Sequence, residues 1–203
     1  MIDFVLATAN PDKAAEIAAV LEARGLRVMA RPTSVAEVDE TEQTLEGNAR
    51  LKASALCAAT GVAAIADDTG LFVAALDGEP GVHSARYAGQ RATYADNVAR
   101  LLRELAATPE GERRATFRTV ICVVYPDGHE LVVVGELAGF ILASPRGTGG
   151  FGYDPVFEAD ETPGRSLAEL SAAEKNALSH RARALTALAD ELGATRRSPD
   201  VHP

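Results

Sequence analysis

The chain has no tryptophan, two cysteines and few aromatic residues, 5% of its 203 positions. Cys57 and Cys122 are too few for a disulfide framework or a cysteine-ligated zinc site. Both sit in apolar stretches and read as small buried residues, which suits a reducing compartment and points to the cytoplasm. No apolar run approaches the roughly 18 residues of a membrane span. The opening MIDFVLATAN carries Asp3 and no basic run ahead of its apolar stretch, so it does not read as a signal peptide. No internal repeat or low-complexity block is present. Positive charge is also short: the net charge of −9 argues against general binding to nucleic acid or to membrane surfaces. A small anion held by a local cluster stays open.

Lysine is the scarcest charged residue. The 20 basic side chains comprise 17 Arg and three Lys, at positions 13, 52 and 175, in a chain with 39 Ala. Such a drift replaces a cation by Arg wherever any cation serves. A surviving Lys then marks a place where a compact point charge is needed rather than a wide planar fork.

What is there is an ordinary globular chain, 47% hydrophobic and 24% charged. It reads as one domain over residues 1–195 with a frayed tail at 196–203. A strand over 2–7 turns into a helix with Asn10 as N-cap and Pro11 at its first position, ended by Gly25. A short strand follows at 27–30. A second helix spans 44–60 and stops at Gly61. A short buried strand over 62–66 is expected to end in Asp67-Asp68-Thr69-Gly70, with a separate apolar run over 71–76. Thr93 and Asp96 open a third helix. Two long β-rich runs, 116–125 and 130–142, are joined by Pro126-Asp127-Gly128, a hairpin signal. Ser171 and Glu174 form a capping box, and the last helical region ends at Gly193. These units predict an α/β fold with a mixed sheet.

Five segments carry chemistry. Thr8-Ala9-Asn10-Pro11-Asp12-Lys13 places a helix N-terminus, with its free backbone N–H groups, beside a lysine, which makes a cradle for phosphate. Asp67-Asp68 puts two carboxylates where α/β proteins place metal ligands and acids. Neighbouring strand residues face opposite ways, so only one of them is expected in a shared site. Lys52, two turns into the helix that Glu40 precedes, interrupts the apolar stripe of Leu45, Ala49 and Leu56; it either snorkels to solvent or projects into a cleft toward an anion. Gly147, Gly149 and Gly152 satisfy G-x-G-x-x-G formally. Pro155, however, forbids the helix that a dinucleotide fingerprint must open. That segment reads instead as a mobile loop, with Phe151 to stack on a flat base and Asp154 to accept from it. On one continuous helix His180 would lie about 140° from Lys175. A break near Leu178, with Ser179 capping a new helix, lets Lys175, His180 and Arg181 share a pocket.

LATANPDK, AIADDTGL, PGVHSARYAG, GTGGFGYDPVF and EKNALSHR, in this order from Phe4 to Gly193, resemble the non-canonical purine nucleoside triphosphate pyrophosphatases, the inosine triphosphatase family. The resemblance implies an elongated mixed β-sheet flanked by helices, two lobes around a central cleft, and a homodimer. It implies hydrolysis of ITP, dITP and XTP to the monophosphate and pyrophosphate with Mg²⁺. It further implies that Thr8 to Lys13 and Lys52 hold the triphosphate, and that Glu40 and Asp68 bind the metal. Asp68 is implied as general base, alongside the two catalytic lysines, Lys13 and Lys52. Thr69 would touch the substrate, while Phe151, Gly152, Tyr153, Asp154, Lys175, His180 and Arg181 would read the base. Donors such as His180 and Arg181 would meet the keto group at C6. One departure concerns a metal-shell carboxylate: Gly47 stands at the family's Glu position and Glu46 comes one place early. A Maf-like pyrophosphatase acting on pyrimidine or modified nucleotides, and a nucleotide sensor without catalysis, are the competing readings.

Overall fold

The computed structural model describes residues 3–195. The tail expected to fray, 196–203, lies outside them. The first half of the chain alternates strand and helix: β1 (Asp3–Leu6), α1 (Pro11–Glu22), β2 (Arg27–Met29), α2 (Leu45–Thr60) and β3 (Ala64–Val73). Short β4 (Pro80–Gly81) and α3 (Tyr94–Glu104) precede the long hairpin of β5 (Arg114–Val124) and β6 (Glu130–Ile141). Then come β7 (Phe157–Ala159), α4 (Ala172–Leu178) and α5 (His180–Thr195). The sheet order is β2-β1-β3-β5-β6-β7, with β4 paired to β3. β1 runs parallel to β2 and β3, and every other pairing is antiparallel. This is the mixed α/β sheet that the sequence predicts.

Side-chain alternation along the central strands sorts the core into layers. Ala64 and Ala66 of β3, with Val120 and Cys122 of β5, pack under Ala49, Ala53 and Leu56 of α2. Ile65, Ile121 and Val123 point the other way, onto Ile17 and Leu21 of α1 and Leu185 and Leu188 of α5. Farther along, Leu71 and Val73 join Val98 and Leu101 of α3 in a third cluster. Cys57 and Cys122 are free and buried, as expected.

Three boundaries differ from the sequence reading. The strand expected to end at residue 66 runs on to Val73, because β5 pairs with it residue by residue from Ala64↔Val124 to Val73↔Ala115. α1 stops at Glu22, and Gly25 (φ +72°) instead makes the turn into β2. α5 continues through Gly193, where a side chain would meet nothing within 4 Å and a helical glycine costs only about 1 kcal/mol. The break between α4 and α5 falls where predicted, with Ser179 extended (φ −63°, ψ 153°).

Candidate active site

β3 is the floor of the site. Asp67 and Thr69 continue the face of Ile65, toward α1 and α5, while Asp68 continues the face of Ala66, toward α2. The two carboxylates sit in mid-strand, not at a strand end, and the helices on either side each supply their cation. Lys13 Nζ of α1 lies 3.1 Å from Asp67 Oδ2, and Arg181 Nε of α5 lies 3.4 Å from the same oxygen. On the other face Lys52 Nζ of α2 lies 3.2 Å from Asp68 Oδ1 and 2.8 Å from Glu40 Oε1. Asn48 Nδ2 donates to Asp68 Oδ2 at 3.2 Å, and Arg86 Nη1 holds the second oxygen of Glu40 at 2.8 Å. Glu46, the displaced carboxylate, pairs with Arg50 at 2.7 Å on the surface and takes no part.

The helix N-terminus is a tighter structure than a cradle of free donors. Asn10 Oδ1 accepts from the N–H groups of Asp12 and Lys13, and the Asn10 N–H bonds Thr8 Oγ1 at 3.1 Å. Asn10 Nδ2 in turn donates to the Tyr94 hydroxyl at 3.0 Å. The expected backbone donors are therefore already used by the cap, and the charge available there belongs to the Lys13 side chain. Thr8, Ala9, Asn10, Lys13, Glu40, Lys52 and Arg86 line a groove of about 640 Å³. Pro11 and Asp12 are exposed and do not line it.

A second, narrower cavity of about 110 Å³ shares Asn10, Lys13 and Glu40 with the groove. Asp68, Thr69, Phe151, Gly152, Tyr153, Asp154, Lys175, His180 and Arg181 complete it, with Tyr94 and Phe117. Phe151 stands with its ring 4.5 Å from Lys175 Nζ and 5.6 Å from Arg181 Cζ. Lys175 is bridged to Asp154 at 2.6 Å and to Glu16 of α1 at 2.8 Å, and the other Glu16 oxygen holds Arg181 Nη1. Asp154 Oδ2 also accepts from the Phe151 N–H at 2.8 Å, and the Tyr153 hydroxyl donates to the Ser84 carbonyl at 2.9 Å, which ties the loop down. Two glycines make these approaches: a Cβ at Gly150 would strike Asp154 Oδ2, and one at Gly135 of β6 would strike the His180 carbonyl at the start of α5. All three lysines thus reach the two cavities, and each is held by carboxylates.

The environments drive the two metal-candidate carboxyls apart. Burial works against ionising Glu40, but the charge and hydrogen bond of Lys52, with Arg86, outweigh it and hold the pKa down to about 2. At Asp68 burial wins over Lys52, Glu40 adds repulsion, and the carboxyl is pushed up. One group stays an anion and the other has an enhanced affinity for a proton, the split that assigns different roles to paired carboxylates. Asp67 is wholly buried, yet Lys13 and Arg181 hold it well below the usual range. Burial, with Arg181 and Lys175 close by, pushes His180 far below the ordinary imidazole value.

His180 ties stability to pH. It is neutral when folded and takes a proton readily when unfolded, so stability is complete above about pH 6.5 and falls as pH drops below it. The slope is about 1.4 kcal/mol per pH unit for this one proton. Urea unfolding between pH 7 and pH 5 should show it, and His180→Gln should flatten the loss. Equal slopes in the two proteins would refute the assignment.

Several residues outside the five segments singled out for chemistry also reach the site. Glu16 sits one turn after Lys13 on the same helical face, which is a readable signal in hindsight. Arg86 lies within the PGVHSARYAG segment, where its charge went unassigned. Asn48, Tyr94 and Thr119 reach the site only through tertiary packing, and nothing local marks them. Among the described residues no group of three or more His, Cys, Asp or Glu is arranged to hold a metal. Glu40 and Asp68 converge on one cationic atom, Lys52 Nζ, so their oxygens are already placed around positive charge. Two carboxylates completed by water and phosphate oxygens are a donor set that suits Mg²⁺, which rarely uses an all-protein cage.

Fold and site together define the class: an α/β protein whose central strand presents charge-matched carboxylates to a cation-rich cleft beside an aromatic pocket, an arrangement for nucleotide phosphates. The family model of the Ham1 family matches residues 4–191, and the chain belongs to that family. It is 49% identical over 195 residues to the dITP/XTP pyrophosphatase of Geobacter sulfurreducens, across 95% of this chain and 98% of the relative. It is 48% identical over 186 residues to the dITP/XTP pyrophosphatase of Lactiplantibacillus plantarum, across 91% of each. Among solved structures, a HAM1 protein from Coxiella burnetii matches with a TM-score of 0.85 at 39% identity, over 96% of this chain and 100% of that one.

Proposed function

We propose that the protein hydrolyses the purine nucleoside triphosphates ITP, dITP and XTP to the nucleoside monophosphate and pyrophosphate. The observation that carries this is the junction of the two cavities, where Lys13 and Glu40 line both and Asp68 lies at the edge of the aromatic one. A base stacked on Phe151 then places its phosphates along Lys13 and Lys52. The names of the relatives support the same substrates.

The triphosphate carries about four negative charges, which Lys13 and Lys52 offset from the two faces of β3. Thr8 and Asn10 border the same groove, and Thr69 borders the aromatic cavity. Asp68 takes the proton of the attacking water as its oxygen bonds to the α-phosphorus. The bond from that phosphorus to the bridging oxygen breaks, and pyrophosphate leaves with the electron pair. Glu40 and Asp68 are the residues that would hold Mg²⁺, whose chemistry when bound is to neutralise phosphate charge and polarise the phosphoryl group. Phe151, Gly152, Tyr153, Asp154, Lys175, His180 and Arg181 surround the base. The homodimer implied by the resemblance belongs to the same proposal, and sedimentation of the purified chain tests it. The cytoplasmic location expected from the two unpaired cysteines belongs to the same proposal; among the described residues no helix is long and apolar enough to cross a membrane.

Product analysis with ITP and Mg²⁺ is the decisive experiment. Pyrophosphate release is expected. Orthophosphate release would mean attack at the γ-phosphorus and a different mechanism. Faster turnover of UTP or TTP than of ITP would favour the Maf-like reading, and binding without release would leave a sensor.

The lysines give a sharper test. Lys52 Nζ fits between Glu40 Oε1 and Asp68 Oδ1 as a single point, and Lys13 Nζ reaches Asp67 Oδ2. A guanidinium at either place is wider than the point charge these oxygens are arranged around. Lys13→Arg and Lys52→Arg should each lower kcat/KM by roughly 10²-fold, the usual scale for misplacing a group by about 1 Å. Wild-type values for both variants would reduce the lysine pattern to composition.

A further inference from the structure

Asp67 and Thr69 of β3, Thr119 of β5 and His180 of α5 form one chain of hydrogen bonds, with Thr69 half-buried and the other three buried. Thr69 Oγ1 lies 3.3 Å from Asp67 Oδ2 and 2.8 Å from Thr119 Oγ1, and Arg181 Nη2 donates to it at 3.2 Å. Thr119, on β5 and wholly buried, lies 2.6 Å from His180 Nδ1. A hydroxyl has one proton to give and two lone pairs to receive with. Arg181 occupies one lone pair of Thr69, because a guanidinium only donates. Asp67, paired with Lys13 and Arg181, is an anion and only accepts.

Only one direction then turns the Thr69 proton toward Asp67 Oδ2; Asp67 Oδ1 has no partner among the described residues in either direction. Thr69 gives its proton to Asp67, so it must receive from Thr119. Thr119 has then spent its proton and must receive from His180 Nδ1–H. In the reverse direction a lone pair of Thr69 would face the Asp67 carboxylate oxygen at 3.3 Å inside the protein, where an unpaired polar contact is costly. His180 is buried beside two cations, Arg181 and Lys175, and carries no second proton. His180 lines the aromatic cavity and its ring stacks on Phe117 at 4.7 Å; with Nδ1 engaged by Thr119, Nε2 is the nitrogen left for a ligand.

On the reading of that cavity as the base pocket, we propose that Thr119 is a positioning residue that fixes His180 as its Nδ1–H tautomer, so that Nε2 accepts the N1–H of the base. This reverses the donor role expected for His180 from the sequence. A 6-oxopurine presents N1–H beside an accepting O6, which complements a bare Nε2 next to the donors Arg181 and Lys175. Adenine presents a bare N1 beside an amine, so both contacts turn repulsive at once. Guanine shares the N1–H and O6 edge, and His180 does not separate it from hypoxanthine.

The tautomer is read in the ligand-free protein by long-range ¹H–¹⁵N correlation of the imidazoles, with His180→Gln to assign the signal. Nδ1 should carry the proton and Nε2 should be bare at neutral pH; a proton on Nε2 overturns the proposal, whatever the enzyme's substrates prove to be. Thr119→Val keeps the shape and removes the lock. The proton should move to Nε2, and the preference for ITP over ATP in kcat/KM should fall roughly tenfold, the weight of one hydrogen bond. Thr119→Ser should restore both. A Val variant with unchanged tautomer and unchanged preference also overturns it. If wild type releases no pyrophosphate from ITP, the substrate reading fails while the imidazole spectrum still decides the tautomer.

Discussion

Asp68→Asn is expected to lower kcat by about 10³-fold, within the 10²–10⁴ range for loss of a general base. The carboxylate is the group whose proton affinity burial pushes up, and the amide has none to offer at that position. The fold should survive, because the substitution keeps the size and the single Asn oxygen keeps one of the two contacts that the Asp68 oxygens make, to Lys52 or to Asn48 Nδ2. Lys52 keeps Glu40 in any case, at 2.8 Å. Steady-state rates with ITP beside a urea unfolding curve separate the two effects. An active variant would remove Asp68 from the chemistry. An inactive variant that also unfolds early would show only that the charge is structural.

Asp67→Ala should do the opposite, costing stability first. Asp67 is buried and answers two cations, Lys13 at 3.1 Å and Arg181 at 3.4 Å. Removing one partner of a buried pair leaves uncompensated charge and typically costs about 3–5 kcal/mol. Arg181 has a further partner in Glu16, while Lys13 is partly exposed, so the low end of that range is expected. The pH dependence has a definite sign. Asp67 is held below its ordinary value, so its stabilisation is complete above about pH 4 and is lost as pH falls further. The acid limb of stability should therefore be shallower in Asp67→Ala than in wild type. A cost below about 1 kcal/mol by urea unfolding would mean that the ion pairs only break even against their desolvation.

Much of this site was legible along the chain because its signals are local. The Asn10 cap, the Thr44 start and Gly61 stop of α2, the turn at 126–128 and the break at Ser179 each rest on a few neighbouring residues. The helical angle between Lys175 and His180 lets them share a pocket only across a broken helix, the Ser179 cap favours a break at that point, and the break is there. The sequence reading went wrong where a neighbour in space decided the outcome. Asp67-Asp68-Thr69-Gly70 looks like a strand end, since adjacent charges in a core strand are costly. It is mid-strand because β5 supplies an unbroken ladder of hydrogen bonds and three helices or loops supply the cations. Thr119 gave no signal at all, as a threonine in a β-rich run is unremarkable until His180 is placed beside it.

Composition alone determined that three lysines in an arginine-rich chain stand apart, and period-two alternation alone determined that Asp67 and Asp68 face opposite ways. Both follow from covalent geometry and residue chemistry, which do not depend on the rest of the fold. Only the tertiary structure decided what each carboxylate meets. α1 and α5 lie over one face of β3 and α2 lies over the other, so Asp67 draws Lys13 and Arg181 while Asp68 draws Lys52 and shares it with Glu40. A charge inside a protein takes its proton affinity from its nearest partners and its distance from water, and those are set by packing between elements far apart in the chain.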